Sequence, residues 1–342
     1  MFKKKELKKR PFIIAEVGQN HQGSLTNALK YVKTFSEAGA DAIKFQTRNN
    51  RYLFDINSYN AMYNSENAFA KTYGKHREHL ELSLKELFLI KKECKKFNVK
   101  FICTPFDEYS LKNIIKLDVD AIKIASFDLG NLPFIKLISE LKKPVIISLG
   151  GGKNIHIEES IKLLKKKISD LAILHCVSEY PCEAHHLGLN EISKLSKKYP
   201  EFQIGLSDHY NGILSGPVAY LKGARIFEKH VTLNRSWKGT DHSFALERDG
   251  FVKFVRDLHR VELMERPKNK NLLGKEAVFQ KLGKSLITNK NLKKGTRIKI
   301  QDLSGKIFSK IFIPVRDSYK VIGKKLTKDK KQFEQILTQD FK

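Results

Sequence analysis

The chain has 342 residues, and 41% of them are hydrophobic. This is enough for a large α/β domain and a small second one. No apolar run reaches the ~18–20 residues of a membrane span. The basic stretch 1–10 is not followed by the apolar core of a secretory signal, so a cytoplasmic protein is predicted. The formal net charge of +27 suits an anionic substrate or a nucleic acid, but the lysines are spread through nearly every predicted helix, which favours a generally lysine-rich composition over one binding face.

Short apolar runs alternate with helical segments over the first 266 residues. The predicted strands are Phe12–Gly18, Ala42–Thr47, Lys100–Phe106, Ala121–Ser126, Pro144–Gly150, Leu171–Val177, Phe202–His209 and Arg225–Thr232. Helices are predicted over about 24–38, 84–97, 132–141, 157–167, 191–198, 214–222 and 249–264, with a further short one before residue 121. Eight strands alternating with helices predict a (β/α)8 TIM barrel spanning residues 1–266.

Two regions do not follow this repeat. Residues 48–82 form a long excursion rich in Asn, Tyr, Lys and His, which predicts an active-site loop or cover. After a Lys- and Asn-rich linker at 267–281, residues 282–342 predict a small β-rich domain that packs on a barrel. Its β-prone runs are Ser285–Thr288, Thr296–Ile300, Lys306–Ile313 and Tyr319–Ile322.

The four cysteines show neither a Cys-x-x-Cys pair nor zinc-finger spacing. Free and mostly buried thiols in a reducing compartment are therefore predicted. The four are Cys94, Cys103, Cys176 and Cys182.

Two histidines, His209 and His230, stand at the ends of consecutive predicted strands. If these strands are adjacent and parallel, their carboxyl ends lie side by side, and two imidazoles could share one divalent cation whose shell a carboxylate, substrate or water completes. A core hydrogen bond explains a single buried histidine well. Two at matching strand ends, with Ser207, Asp208 and Glu228 beside them, favour a site.

Lysines and hydroxyl groups also gather at the predicted strand ends. Lys44 and Lys123 with several Ser and Thr side chains suit a phosphate-bearing ligand, and Glu16 could act as a general base. Phosphate, metal and carbonyl chemistry together favour condensation of a phosphorylated enol with an aldehyde. A buried lysine could instead form a Schiff base, as in an aldolase.

Several motifs of this chain resemble those of the sialic acid synthases. They are Ala15–Gly23 (AEVGQNHQG), Lys44–Gln46 (KFQ), Gly205–His209 (GLSDH) and Glu228–His230 (EKH). Two more, Lys71–Glu81 and Trp237–Ser243, are most similar to those of the animal-type enzyme that takes a sugar 6-phosphate. The family condenses phosphoenolpyruvate with N-acetylmannosamine or its 6-phosphate, and Lys281–Phe341 resembles its C-terminal antifreeze-like (SAF) domain.

The resemblance implies roles for named residues. His209 and His230 resemble the ligands of Mn²⁺, with Mg²⁺ or Co²⁺ as alternatives, and they join Glu16 as catalytic residues. Residues that resemble the phosphoenolpyruvate pocket are Lys44, Thr104, Lys123, Ser126, Ser148, Ser178 and Ser207. Residues that resemble the sugar contacts are Gln46, Asp128, Tyr180, Glu228 and Asp241. The family further implies a domain-swapped homodimer, in which the SAF domain of one chain covers the barrel of its partner.

The chain departs from the bacterial-type pattern in both the phosphoenolpyruvate pocket and the residues that contact the sugar. Ser178 stands in place of an Asn and Asp128 in place of a Glu. The segment Ile307–Ile311, which corresponds to a stretch with an Arg-Pro pair followed by a Gly, has neither Arg nor Gly, and Lys310 is its only cation. Synthases of related nonulosonic acids, of the legionaminic, pseudaminic or KDN type, therefore remain alternatives. A barrel that binds nucleic acid without catalysis is the alternative from another class; the dispersed basic residues argue against it.

Overall fold

A computed structural model describes residues 1–2, 7 and 10–342 of the chain. Within them the chain divides into two compact units, Met1–Arg266 and Pro267–Lys342. No helix in this part of the chain is long and apolar enough to cross a membrane.

The first unit is a closed barrel of eight parallel strands, in which β8 pairs with β1. The strands are β1 (Phe12–Gly18), β2 (Ala42–Thr47), β3 (Lys100–Pro105), β4 (Ala121–Ile124), β5 (Val145–Ser148), β6 (Leu171–Cys176), β7 (Gln203–Asp208) and β8 (Ile226–His230). The predicted (β/α)8 barrel is confirmed, and the predicted strands agree with the observed ones to within two residues at each end.

The helices surround the barrel in the predicted order. They are Leu25–Glu37, Leu84–Lys96, Glu108–Leu117, Leu132–Glu140, Asn154–Leu164, Asn190–Lys198, Ser215–Leu221 and Arg248–Met264. Local signals set several starts: the Ser24 side chain accepts a hydrogen bond from the Asn27 amide, and Ser83 forms a reciprocal capping box with Glu86.

The excursion after β2 is more ordered than the sequence suggests. It carries three short helices, Asn50–Leu53, Ile56–Asn60 and Tyr73–His79. Capping side chains at Asn49 and Asp55 begin the first two of them. Composition alone indicated a loop because these helices are too short to give a clear period of 3.6 residues.

Layers of inward-pointing side chains fill the barrel. The lower layers are apolar and consist of Ile14, Ala42, Ile102, Ala121, Ile146, Ala172, Leu174 and Ile226, with Phe2 and Leu7 packed against them. Two residues further along seven of the strands, on the same face, stand Glu16, Lys44, Thr104, Lys123, Ser148, Cys176 and Glu228. The polar layer therefore packs on an apolar floor, the layers of apolar side chains nearer the amino ends of the strands, and these exclude water from that side.

The second unit contains one two-stranded antiparallel sheet, β9 (Lys284–Thr288) and β10 (Leu303–Ile307). Its core is a cluster of apolar side chains: Leu286, Leu292, Ile298, Val321, Leu326 and Ile336. Helical turns at Lys270–Leu272 and Ala277–Leu282 precede the sheet, within the stretch predicted as linker. The β-prone reading of Tyr319–Ile322 was wrong, because Val315–Lys320 forms a 3-10 helix.

Candidate active site

A cavity of about 410 Å³ opens at the carboxyl ends of the barrel strands, a size within the roughly 300–1,000 Å³ of small-molecule sites. The predicted site residues that line it are Glu16, Lys44, Gln46, Thr104, Lys123, Ser126, Ser148, Tyr180, Ser207, His209, Glu228, His230 and Asp241. The two remaining predicted residues, Ser178 and Asp128, are not part of this lining.

Glu16 lies at the centre of a hydrogen-bonded set on β1 and β2. Its Oε1 atom is 2.9 Å from Lys44 Nζ and accepts a 2.7 Å hydrogen bond from Gln46 Nε2. Strand register explains this grouping, because Glu16 pairs with Lys44 on one side and with His230 on the other. Burial raises the pKa of Glu16, although Lys44 opposes the shift.

Glu228 is the second buried carboxylate, and it lies between the two lysines. Its Oε1 atom is 3.5 Å from Lys44 Nζ and 3.9 Å from Lys123 Nζ, and it accepts a 3.2 Å hydrogen bond from Ser207. Burial alone would disfavour the carboxylate, but Lys123 and Lys44 lower the pKa of Glu228 to about 2. Glu228 is therefore ionised at neutral pH, and the pKa values of the two carboxyl groups are shifted in opposite directions.

The two lysines differ in how well their charges are balanced. Burial opposes the charge of Lys44, but Glu16 and Glu228 keep its pKa above the usual value. Burial lowers the pKa of Lys123, whose Nζ atom donates only a 3.3 Å hydrogen bond, to the Ile124 carbonyl, among the described residues. Lys123 is thus the cation with more capacity for an added anion.

His209 and His230 face each other across the cavity, as the strand-end pattern predicts. Their ring centroids are 5.4 Å apart, and the Tyr180 ring lies 4.0 Å from that of His209. His209 Nδ1 is 2.7 Å from the Val177 carbonyl, which fixes that nitrogen as the donor and leaves Nε2 for another partner. Burial lowers the pKa of His230, so its ring is neutral and able to act as a ligand.

A buried ion pair stands behind the two histidines. Lys229 Nζ is 2.6 Å from Asp208 Oδ2, and both side chains are almost fully shielded from solvent. The two residues are register partners on β8 and β7, and each directly precedes one of the histidines. The pair therefore ties together the two strand ends that carry the imidazoles.

The hydroxyl groups line the opposite side of the cavity. Ser126 Oγ accepts a 3.1 Å hydrogen bond from the Gly150 amide. A Cβ atom on Gly150 would lie 2.3 Å from Ser178 Oγ and 2.8 Å from Ser126 Oγ. Ser178 therefore stands directly behind the lining, against the glycine. Asp128 does not line the cavity, and its carboxylate accepts a 2.9 Å hydrogen bond from Asn131.

Five buried polar atoms of residues that line the cavity have no hydrogen-bond partner within the described ranges: Glu16 Oε2, Arg77 Nε, Ser148 Oγ, Glu228 Oε2 and His230 Nδ1. Buried polar atoms are almost always paired in folded proteins, and an unpaired one costs roughly 1–3 kcal/mol. Their concentration in one cavity indicates that a polar ligand completes the site.

The metal-binding capacity of this part of the chain rests on two residues. No group of three or more His, Cys, Asp or Glu side chains in residues 1–2, 7 and 10–342 is arranged to hold a metal ion. The unpaired Nδ1 of His230 and the Nε2 of His209, the ring nitrogen not bonded to the Val177 carbonyl, still offer two nitrogen donors, with Asp241 Oδ2 3.8 Å from His230 Nδ1. The donor set fits a divalent cation whose remaining ligands are substrate or water.

Sequence reasoning missed part of the lining. The additional residues are Gln19, Arg48, Arg77, Phe106, Ala125, Phe127, Cys176 and Thr240. Arg48 directly follows β2 and Cys176 ends β6, so the strand-end rule could have found both. As predicted, all four cysteines are free and buried. Burial opposes ionisation of Cys176, but a hydrogen bond with His209 lowers the pKa of this thiol.

The sequence and fold match known proteins over most of the chain. The NeuB family matches residues 31–270. The N-acetylneuraminate-9-phosphate synthase of Homo sapiens is 32% identical over 316 residues, covering 92% of this chain and 88% of that protein. The N,N'-diacetyllegionaminic acid synthase of Campylobacter jejuni is 32% identical over 295 residues, covering 84% and 87%. The solved N-acetylneuraminic acid synthetase of Leptospira borgpetersenii, in complex with citrate, is 32% identical with a TM-score of 0.70, covering 78% of this chain and 90% of that chain.

Proposed function

Since this chain belongs to the NeuB family, we propose that it is a sialic acid synthase: it condenses phosphoenolpyruvate with N-acetylmannosamine or N-acetylmannosamine 6-phosphate, giving N-acetylneuraminate or its 9-phosphate and inorganic phosphate. It is an enzyme of the phosphoenolpyruvate-using synthase type. The observation that carries the proposal is the polar layer of the barrel, where two lysines, two carboxylates and two imidazoles share one cavity.

Phosphoenolpyruvate is assigned to the lysine side of this layer. It carries a phosphate and a carboxylate, and two point charges with short hydroxyl donors suit such an anion. Lys123 and Lys44 supply the charges, and the unpaired Ser148 hydroxyl supplies a donor inside the cavity. Further donors of the proposed pocket are Thr104, Ser126 and Ser207, with Ser178 behind them against Gly150.

The sugar is assigned to the side that carries Gln46, Tyr180, Glu228 and Asp241, with Asp128 at the margin. His209 and His230 would hold the divalent cation, Mn²⁺ in the first place and Mg²⁺ or Co²⁺ as alternatives. A cation held there supplies Lewis acidity towards the sugar carbonyl oxygen. Tyr180 packs on the His209 ring at 4.0 Å and limits where the sugar can lie.

Glu16 is the proposed acid–base residue. Oε1 is held by Lys44 and Gln46, whereas Oε2 is unpaired among the described residues and free to exchange a proton. Burial raises its pKa, which favours the protonated form more than at an exposed glutamate and suits proton transfer, either from the attacking water or to the sugar oxygen. Glu228 stays ionised and counters the positive charge of the two lysines. The reaction joins C3 of the enol to the aldehyde carbon, adds water at C2, and releases phosphate by C–O cleavage.

The proposal extends to the rest of the chain. Residues 1–266 form the catalytic barrel, 267–281 the linker and 282–342 an SAF domain. The enzyme acts as a domain-swapped homodimer in which the SAF domain of one chain covers the barrel of its partner. The compact apolar core of the second unit supports a separately folded domain.

A synthase of a related nonulosonic acid is the second candidate. The Campylobacter jejuni relative, named as an N,N'-diacetyllegionaminic acid synthase, is as similar in identity as the human one. In that case the fold, phosphoenolpyruvate pocket and metal pair serve the same chemistry on a different amino sugar. A Schiff-base aldolase fits less well at Lys44, because Lys44 is ion-paired with Glu16 and its pKa is raised. The lowered pKa of Lys123 makes it the better candidate for such a lysine, and the trapping experiment below tests it.

The deciding experiment measures phosphate release from phosphoenolpyruvate in the presence of Mn²⁺. The sugars compared are N-acetylmannosamine, its 6-phosphate and mannose 6-phosphate. The mass of the product is determined by mass spectrometry. Release with an N-acetylmannosamine substrate, with a product mass of sugar plus pyruvate, supports the proposal. Release only with another nonulosonic acid precursor supports the second candidate. Covalent trapping of Lys44 or Lys123 by borohydride and pyruvate would support the aldolase.

A further inference from the structure

Two arginines line the cavity and have no part in the chemistry described above. Arg48 directly follows β2, and Arg77 lies on the short helix Tyr73–His79. Neither arginine is among the residues assigned to phosphoenolpyruvate. They therefore form a second positively charged region in the same cavity.

Arg48 is a rigid, buried member of this region. Its side chain is 7% exposed, its Nη2 atom donates a 2.6 Å hydrogen bond to Gln46 Oε1, and its guanidinium stacks 3.8 Å above the Phe106 ring. Its ion pair with Glu81 is long, at 3.5 Å. Burial, and then the neighbouring charge of Arg77, lower the pKa of Arg48 to about 10. The two guanidinium groups are thus close enough to repel each other.

Arg77 lacks the partners that a half-buried guanidinium normally has. Its Nε atom is buried without a hydrogen bond, and within the described chain its side chain forms neither an ion pair nor a hydrogen bond. Its guanidinium carbon lies 5.9 Å from the Tyr73 ring centroid, and the charge of Glu81 acts on it from beyond ion-pair distance. A guanidinium has five donors in a planar fork, so this side chain offers nearly its whole binding capacity to the cavity.

The surrounding fold holds Arg77 in place. A Cβ atom on Gly74, one turn earlier in the helix, would lie 2.2 Å from the Tyr59 ring, so the helix packs directly on that ring. His76 is buried between aromatic side chains, and its Nδ1 atom accepts a 3.1 Å hydrogen bond from the Phe69 amide. The unpaired arginine is therefore carried by a packed scaffold and not by a free loop.

We propose that Arg48 and Arg77 form a subsite for the phosphate monoester of a phosphorylated sugar substrate. This inference rests on the proposed function and narrows it: of the two sugars, the 6-phosphate is the substrate. A phosphate dianion would relieve the repulsion between the two guanidinium groups and pair the free donors of Arg77. With an unphosphorylated sugar, Glu81, whose single negative charge pairs with Arg48 and also acts on Arg77, would remain the only carboxylate ion-paired with either guanidinium group among the described residues.

The position of the subsite relative to the sugar contacts supports the choice of ligand. The charge of Asp241, a proposed sugar contact, acts on Arg48. Asp241 and Arg77 both line the cavity. A sugar that reaches the metal pair with its carbonyl end and Asp241 with its hydroxyl groups would direct its distal phosphate to the arginines.

The test compares binding of N-acetylmannosamine 6-phosphate and N-acetylmannosamine by calorimetric titration of the full chain with Mn²⁺ present. Arg77→Gln should raise the Kd of the 6-phosphate about 10- to 100-fold, the scale of lost hydrogen bonds to a charged group, and leave that of N-acetylmannosamine unchanged. Arg77→Lys keeps the charge without the fork, so it should lie between wild type and Arg77→Gln. Arg51→Gln is the matched control, because Arg51 is 67% exposed and pairs with Glu78 outside the cavity. Equal Kd values for the 6-phosphate in wild type and Arg77→Gln, or an equal loss for both sugars, would overturn the inference.

Turnover in the same proteins separates this inference from the proposed function. If Arg77→Gln weakens the 6-phosphate selectively but no sugar releases phosphate from phosphoenolpyruvate, the arginine subsite stands and the synthase proposal fails. If wild type and Arg77→Gln release phosphate equally well with both sugars, the synthase proposal stands and the subsite is overturned.

Discussion

Replacing Lys229 by Met should destabilise the barrel although this residue lies outside the cavity. The Lys229–Asp208 pair spans 2.6 Å, and the two side chains are 0% and 1% exposed. Removing one partner of a buried pair costs about 3–5 kcal/mol, because the other charge is left unpaired. Asp208 would keep hydrogen bonds from Ser215 Oγ at 2.5 Å and the Tyr210 amide at 3.0 Å. The expected loss is therefore at the lower end, about 3 kcal/mol.

The control uses the same substitution at an exposed pair of the same length. Lys194 Nζ is also 2.6 Å from its carboxylate partner, on Glu191, but the two side chains are 72% and 50% exposed. Lys194→Met should change stability by no more than about 0.5 kcal/mol. Urea unfolding followed by the fluorescence of Trp237, the sole tryptophan of the chain and part of the barrel unit, measures both variants.

If Lys229→Met lowers the free energy of unfolding by less than about 1 kcal/mol, the expectation is wrong, since an unpaired buried carboxylate should destabilise the fold by more than that. The double variant Lys229→Met with Asp208→Asn removes the orphaned charge. It should be more stable than Lys229→Met alone if the unpaired charge, and not lost packing, is the cause.

Three further predictions concern the site and its pH dependence. Glu16→Gln should still bind phosphoenolpyruvate in a titration but release phosphate about 10²–10⁴-fold more slowly, and a normal rate would remove Glu16 from the mechanism. His209→Ala and His230→Ala should each abolish Mn²⁺-dependent phosphate release while leaving the urea midpoint near that of wild type; full activity in either would contradict the metal assignment. Burial lowers the pKa of His21 from 6.5 to about 3, so the native state excludes a proton that the unfolded chain binds. The contribution of His21 to the free energy of unfolding is therefore complete above about pH 6.5. It should fall by about 1.4 kcal/mol per pH unit as the pH drops towards 3. Urea midpoints between pH 7 and 4 should show a shallower fall in His21→Asn, and an unchanged slope would exclude His21 as the cause.

The barrel and most of its cavity followed from simple sequence rules. The apolar runs of parallel strands are buried on both faces, so they stand out from amphipathic helices, and their carboxyl ends meet at one face of the barrel. That is why Glu16, Lys123 and His230 could be placed together although they are far apart in sequence. The closing pair of β8 with β1, which puts Glu16 beside His230, follows only from the closed barrel.

The place of Arg77 in the cavity could not be predicted from these sequence rules. It lies between strands, on a helix of seven residues, and its approach to the cavity depends on how that helix packs against Tyr59. Nothing in the local sequence separates it from Lys75, which is exposed and pairs with Glu78. Likewise, Tyr319–Ile322 looked β-prone because four residues are too few to distinguish a strand from a helical turn.

The charged side chains of the polar layer contact one another, so a substitution at one of them affects the others. Glu16 is paired in register with Lys44 and His230, and Lys44 in turn contacts Glu228. Proton transfer, anion binding and metal binding thus depend on residues that touch each other above an apolar floor, where little water screens their charges. Replacing Lys44 should therefore change the protonation of Glu16 as well as the affinity for phosphoenolpyruvate. Effects of paired substitutions in this set should not add, whereas Arg77, which has no ion pair or hydrogen bond with any described member of the set, should combine additively with each of them.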